Sequence, residues 1–129
     1  MGQHYNLPHD HGQNTQSVLE RMPGEAEFQR ISNTFQLLED GTRLRILWLL
    51  CHCTECVSNI AAAVGMSNAA VSHHLQILRK GGLIVSRRSG KEVYYTLADS
   101  KEAELLHAVI DQLFEIVCPT GAQRHEHHE

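Results

Sequence analysis

Apolar residues recur at helical spacing along most of this chain, broken by one short stretch rich in β-branched and aromatic residues. Phe28, Ile31, Phe35 and Leu38 predict a first helix over 24–38. Pro23, Glu25 and Glu27 supply its start, since Pro tolerates a position without an amide partner and acids suit the positive end of the helix dipole. Asp40 or Thr42 then caps a second helix, where Leu44, Ile46, Leu47, Leu49 and Leu50 predict burial on nearly every side. A short Ala-rich helix follows over 57–64. Gly65-Met66-Ser67 breaks it, Ser67 or Asn68 caps a longer helix to about Lys80, and Gly81-Gly82 ends that one. Segments 83–88 and 92–97 flank Ser89-Gly90-Lys91, a hairpin pattern. Asp99 caps a last helix carrying Leu105, Leu106, Val109, Leu113, Ile116 and Val117, which Pro119 and Gly121 stop. The order is α-α-α-α-β-β-α, mainly α with a small β-hairpin. Residues 1–22 show no period and read as a flexible His-bearing arm, 23–118 as the folded domain, and 119–129 as a flexible His-rich tail.

Two short helices joined by a tight turn containing Gly have the spacing of a helix-turn-helix. Ala62, Val64, Val71, Leu75 and Leu78 are expected to pin the pair together. The second helix then offers Ser67, Asn68, Ser72, His73 and Gln76 on its exposed face, polar groups short enough to reach base edges or phosphates. His74 is assigned to helix packing rather than to metal. The hairpin adds Arg87, Arg88 and Lys91 at its tip, extended by Arg79 and Lys80, a patch suited to phosphates. Helix pair and wing together predict a winged helix-turn-helix that takes double-stranded DNA as its partner.

Composition sharpens this. The 129 residues suffice for one core, and an apolar share of 42% with only 5% aromatics suits helices packed by aliphatic side chains. Net charge is −4 with His neutral, so any DNA-facing basic surface must be local. No apolar run is long enough for a membrane span, and the polar start does not read as a signal peptide. Three of the four cysteines crowd into 51–56, which argues against a disulfide framework and for a reducing cytoplasm where thiols do metal or redox chemistry. No phosphate loop or catalytic constellation stands out, so neither an enzyme nor a small-molecule substrate is expected.

Cys51, Cys53 and Cys56 lie where the second helix ends and the third begins. Thiolates there favour soft or borderline ions: cadmium, lead, zinc, copper(I) or trivalent arsenic. On a continuous helix positions 53 and 56 share a face while 51 diverges, so a three-thiol site needs local unwinding or a ligand from elsewhere. Cys51 alone also reads as a buried core residue. His52 could complete a mixed sulfur and nitrogen site, or simply stand exposed beside the helix end. Cys118, closing the last helix, is placed to approach Cys51 and Cys53 as a further ligand or a disulfide partner. Glu104, His107, Asp111, Glu115 and Cys118 form one stripe at helical steps, which reads as a solvated polar face. His4, His9 and His11, with His125, His127 and His128, invite a nickel or zinc reading, although flexible tails often carry His without a defined site.

The Asp40-Gly41-Thr42-Arg43-Leu44-Arg45-Ile46-Leu47 entry, the Gly65 to Leu75 reading unit, Gly81-Gly82-Leu83-Ile84 and Gly90-Lys91-Glu92-Val93-Tyr94-Tyr95 together resemble the ArsR/SmtB family of winged-helix metalloregulatory repressors. The resemblance covers about 25–117. It implies a cytoplasmic homodimer built on the first and last helices, repressing metal efflux or detoxification genes and releasing DNA when its inducer binds. Sulfur sites in that family commonly use Cys-x-Cys at this helix. Here Cys56 matches the first Cys and Ser58 stands at the second, with Cys51 and Cys53 added upstream. The family's other site, across paired last helices, fits Asp99 and Glu115. Lys101 and Gln112 occupy the positions of its two His ligands, and a cationic Lys argues against it. Antiparallel packing of those helices would bring His107 to its own symmetry mate, which makes a symmetric His/Asp site the alternative to a solvated face. Thiol-redox or persulfide sensing through Cys51 or Cys53 with Cys118 is a further theme that the resemblance implies.

Overall fold

The computed structural model describes residues 5–118. In chain order its elements are α1 (Thr15–Glu20), α2 (Glu25–Leu37), α3 (Gly41–His52), β1 (Glu55–Cys56), α4 (Val57–Val64), α5 (Asn68–Lys80), β2 (Ile84–Ser89), β3 (Glu92–Leu97) and α6 (Lys101–Val117). Two compact units divide at Phe35 and Gln36. In the first, Gln16 pins the extended start to α1, its side-chain amide donating to the Tyr5 carbonyl at 2.9 Å and its carbonyl accepting from the Tyr5 amide at 3.1 Å. Thus a six-residue helix lies inside the segment expected to be a flexible arm. Neither α1 nor α2 buries a residue, and Phe28, Ile31 and Phe35 of α2 stand exposed.

The second unit holds the core. Ile46, Leu47 and Leu50 of α3 meet Ile60, Ala61 and Val64 of α4, Val71, Leu75 and Leu78 of α5, Leu83, Ile84 at the start of β2, and Ile110 of α6. Leu44 and Leu49 are only half-buried, so α3 is less enclosed than its leucine content predicts. Ala62, expected at the α4–α5 contact, is exposed, and Ala61 fills that role. Capping follows local chemistry: Asp40 accepts from the Arg43 amide at 3.0 Å, Ser67 from Ala70 at 3.1 Å and Ser100 from Ala103 at 3.2 Å. Ser100, not Asp99, is therefore the cap of α6.

The sheet has three antiparallel strands in the order β1-β3-β2. β2 and β3 form the predicted hairpin, with Arg87 opposite Tyr94 and Arg88 opposite Val93. β1 is additional: Glu55 pairs with Tyr95 and Cys56 with Tyr94.

Candidate nucleic-acid interface and metal-ligating side chains

The helix pair is built as its sequence requires. Gly65 ends α4 in the left-handed region at φ 71°, its amide bonded to Ala61, and the chain turns directly to the Ser67 cap of α5. Val64, Val71, Leu75 and Leu78 lie buried, which leaves Ser67, Asn68, Ser72, His73 and Gln76 exposed. Two of these also serve the local structure, Ser67 as the cap of α5 and Asn68 as a link to α4. The Ser67 hydroxyl oxygen accepts the cap bond and keeps its own proton to donate. The Asn68 side-chain amide donates to Ser58 Oγ of α4 at 3.2 Å. Gln76 accepts from Arg79 at 3.2 and 3.4 Å, an exposed pair that a nucleic-acid partner can replace. Arg87, Arg88 and Lys91 are exposed around the Gly90 turn, as expected of a wing.

His74 packs as expected, and its partner is a clamp not apparent from sequence. Arg43 donates from Nε to the Leu37 carbonyl at 2.7 Å and from Nη2 to the Gln36 carbonyl at 3.4 Å, and its Nη1 lies 3.3 Å from His74 Nδ1. A guanidinium only donates, so His74 Nδ1 accepts and carries no proton there. One side chain thereby ties the reading helix to the start of α3.

The cysteines do not assemble. Helix α3 ends at His52, and Cys53 is extended (φ −156°, ψ 169°), with its thiol donating to the Leu49 carbonyl at 3.4 Å. Cys56 is drawn into the sheet against Tyr94. Among the described residues no three cysteine sulfurs lie within 4.8 Å of one another. The compact Cys51, Cys53, Cys56 site is thus not assembled in one protomer: the chain does leave the helix after His52, but the β1 pairing carries Cys56 to Tyr94 instead of folding it back onto the other thiols. Burial, with the Asp111 charge adding to it, pushes the half-buried Cys51 thiol up to about 11. Burial, then Glu55, raises Cys53 as well. Cys118 is exposed at the end of α6, and all four cysteines are free thiols.

His52 parts company with the thiols and turns towards α6, where its Nε2 lies 3.7 Å from Asp111 Oδ1. His107 sits 3.0 Å from Asp111 Oδ2 and makes an edge-on ring contact with His52 at 5.0 Å. Its Nε2 is buried within its own protomer, while Glu104, Glu115 and Cys118 of the same stripe stand exposed as the spacing suggests. His9 and His11 stack at 5.7 Å, while His4, His125, His127 and His128 lie outside the described residues.

Helix pair, wing and the polar face of α5 define a winged helix-turn-helix DNA-binding protein. Residues 40–86 match the family described as bacterial regulatory protein, arsR family. The transcriptional repressor SmtB homolog of Synechocystis sp. is 42% identical over 87 residues, 67% of this chain and 66% of that protein. The regulator NmtR of Mycobacterium tuberculosis is 40% identical over 81 residues, 63% of this chain and 68% of that one. The cadmium resistance transcriptional regulatory protein CadC of Listeria innocua is 40% identical over 77 residues, 59% and 65% of the two chains. The matched stretch thus spans about two thirds of these relatives' length. Among solved structures, reduced HlyU from Vibrio cholerae matches with a TM-score of 0.65 at 27% identity, covering 70% of this chain and 94% of that one. The homodimeric winged helix-turn-helix DNA-binding domain from Mycobacterium bovis matches with a TM-score of 0.62 at 32% identity, covering 73% and 91%. The chain belongs to the arsR family of transcriptional regulators.

Proposed function

We propose that this chain is a metal-responsive repressor that holds operator DNA as a homodimer and releases it when a thiophilic ion binds its thiols. The observation that carries the reading is the undivided polar face of α5 beside a wing bearing Arg87, Arg88 and Lys91 in a chain of net charge −4. Such a local basic patch gives phosphate affinity and register, while Ser72, His73 and Gln76, with Ser67 and Asn68 at the helix start, read base edges. The dimer places two such helices in successive major grooves of a pseudo-palindromic site. A relative named for cadmium resistance and another named as an arsenical resistance operon repressor support induction by a soft ion and control of resistance genes; efflux or detoxification genes, regulated in the cytoplasm, are our extension of those names.

Cys51, Cys53 and Cys56, with Cys118 as a further thiol, are the residues that would hold cadmium, lead, zinc or trivalent arsenic; His52, which faces Asp111, would have to turn back to join them. Their sulfur chemistry fits such ions; their separation in one protomer requires Cys53–Cys56 to leave its present backbone or donors from a second copy to contribute. A thiophilic ion supplies strong bonds to thiolate, and the thiols must lose their protons to accept it. Operator selected from a random duplex pool, followed by fluorescence anisotropy of the reduced protein against cadmium, zinc, lead, arsenite and nickel, tests this. Release reversed by chelator alone is expected, and DNA affinity indifferent to every ion would overturn it.

A second reading is a thiol-redox repressor using Cys51 or Cys53 with Cys118. It is favoured by the likeness to a structure described as reduced HlyU. Its mark is release that only a reductant undoes.

A further inference from the structure

His52, His107 and Asp111 are far apart in sequence, yet their ligand atoms all lie within 4.8 Å of one another, and no other group of three His, Cys, Asp or Glu does so among the described residues. Tertiary packing of the end of α3 on the middle of α6 creates the group. His107 and Asp111 sit one turn apart on α6 and share a face.

Its internal chemistry is that of a ligand set. His52 Nδ1 lies 2.8 Å from the Trp48 carbonyl, which can only accept, so Nδ1 carries the proton and Nε2 turns a lone pair towards Asp111. A metal-binding His is oriented in this way, its second nitrogen fixed by a carbonyl. The Trp48 ring lies 4.5 Å from the imidazole of His52 in a tilted contact. His107 Nε2 is buried without a hydrogen bond: Asp111 Oδ2 is 3.0 Å away but off the direction an N–H would take. Two imidazole nitrogens and a carboxylate thus converge, one of the nitrogens buried without a hydrogen bond, an arrangement that a cation can bridge.

We propose that His52, His107 and Asp111 form a divalent transition-metal site within each protomer, suited to zinc, cobalt or nickel. Ligands about 2.1 Å from one ion stand roughly 3–4 Å from each other, and the His107–Asp111 and His52–Asp111 separations of 3.0 and 3.7 Å already fall in that span. Side-chain exposures of 40% for His52, 30% for His107 and 44% for Asp111 leave water free to complete the coordination shell. Nitrogen and carboxylate donors select borderline ions over the soft ions a thiol set takes. The site involves neither Asp99 nor Glu115 and no sulfur. It joins α3, one residue beyond Cys51, to α6.

The test titrates cobalt(II) into the full reduced chain under anaerobic conditions, with zinc competition for affinity. Wild type is expected to bind one equivalent per protomer with visible ligand-field absorption and no thiolate-to-cobalt charge transfer from that equivalent. His52→Ala, on an exposed side chain, and Asp111→Asn should each weaken that equivalent at least about ten-fold, with the helical circular dichroism unchanged. Long-range 15N spectra should show both Nε2 resonances of His52 and His107 moving with zinc. Variants that titrate as wild type would overturn the site, as would Nε2 shifts that follow pH but ignore zinc, the mark of a protonated His107–Asp111 pair. Operator release plays no part in these readouts, so the site and the repressor reading fail separately.

Discussion

Cys51 carries the most perturbed thiol of the chain. Burial and the neighbouring Asp111 charge lift it from an ordinary 9.0 to about 11, so at neutral pH it is a protonated thiol and a poor nucleophile. Iodoacetamide at pH 7.5 should modify the exposed Cys118 well before Cys51, with peptide mass spectrometry following each site. Equal rates would show that Cys51 is not shielded. The same shift has a sign for stability. The folded chain keeps a proton that the unfolded chain gives up near 9, so the thiol's contribution is fully present below pH 9 and is lost as pH rises towards 11. Denaturant midpoints should therefore fall across that window in wild type and fall less in Cys51→Ala. A thiophilic ion must displace this proton, so occupancy at Cys51 should strengthen with rising pH.

At the scale of elements, the α4–α5 turn rests on one backbone angle. Gly65 has φ 71° and open space where a Cβ would stand, so Gly65→Ala meets no clash and suffers only the conformational cost, about 1–2 kcal/mol. Chemical denaturation should read that loss, and an unchanged midpoint would mean the turn adopts another conformation freely. The wing answers to salt instead. Arg88→Ala should weaken binding to every DNA sequence and lower the slope of log K against log salt by about 0.9, one phosphate's worth. An unchanged slope would take Arg88 off the backbone. These elements were legible because each states its signal locally: Gly65 before the Ser67 cap, Leu75 and Leu78 one turn apart, Gly90 between two β-branched runs. α1 has no buried residue and hence no apolar period to read, and β1 is two residues whose pairing with Tyr94 and Tyr95 is entirely tertiary. The sites divide likewise. The exposed polar face proposed to meet DNA lies on one helix and shows in its sequence, whereas His52, His107 and Asp111 meet only because α3 and α6 share a core through Leu50 and Ile110.

For the whole molecule, the unpartnered surface is what remains to be explained. Leu105, Leu113, Ile116 and Val117 stand 55–74% exposed along α6, and Phe28, Ile31 and Phe35 of α2 stand 50–63% exposed. A soluble chain rarely leaves such apolar faces in water, and burying each side chain is worth about 1.5–3 kcal/mol. A second copy is the occupant that also serves the proposed function, because symmetric pairing gives two α5 helices at the spacing of two half-sites. Leu113→Glu with Ile116→Glu places carboxylates in that face without touching the core residues Ile110 or Ala103. Light scattering should then find a monomer with unchanged helical content. Operator affinity should fall about 100-fold or more, because the second half-site no longer binds as part of one molecule. Non-specific affinity per protomer should survive, since Arg87, Arg88 and Lys91 are untouched. A double variant that stays dimeric and keeps its operator affinity would move the interface off α6 and leave α2 as the surface that joins the two copies.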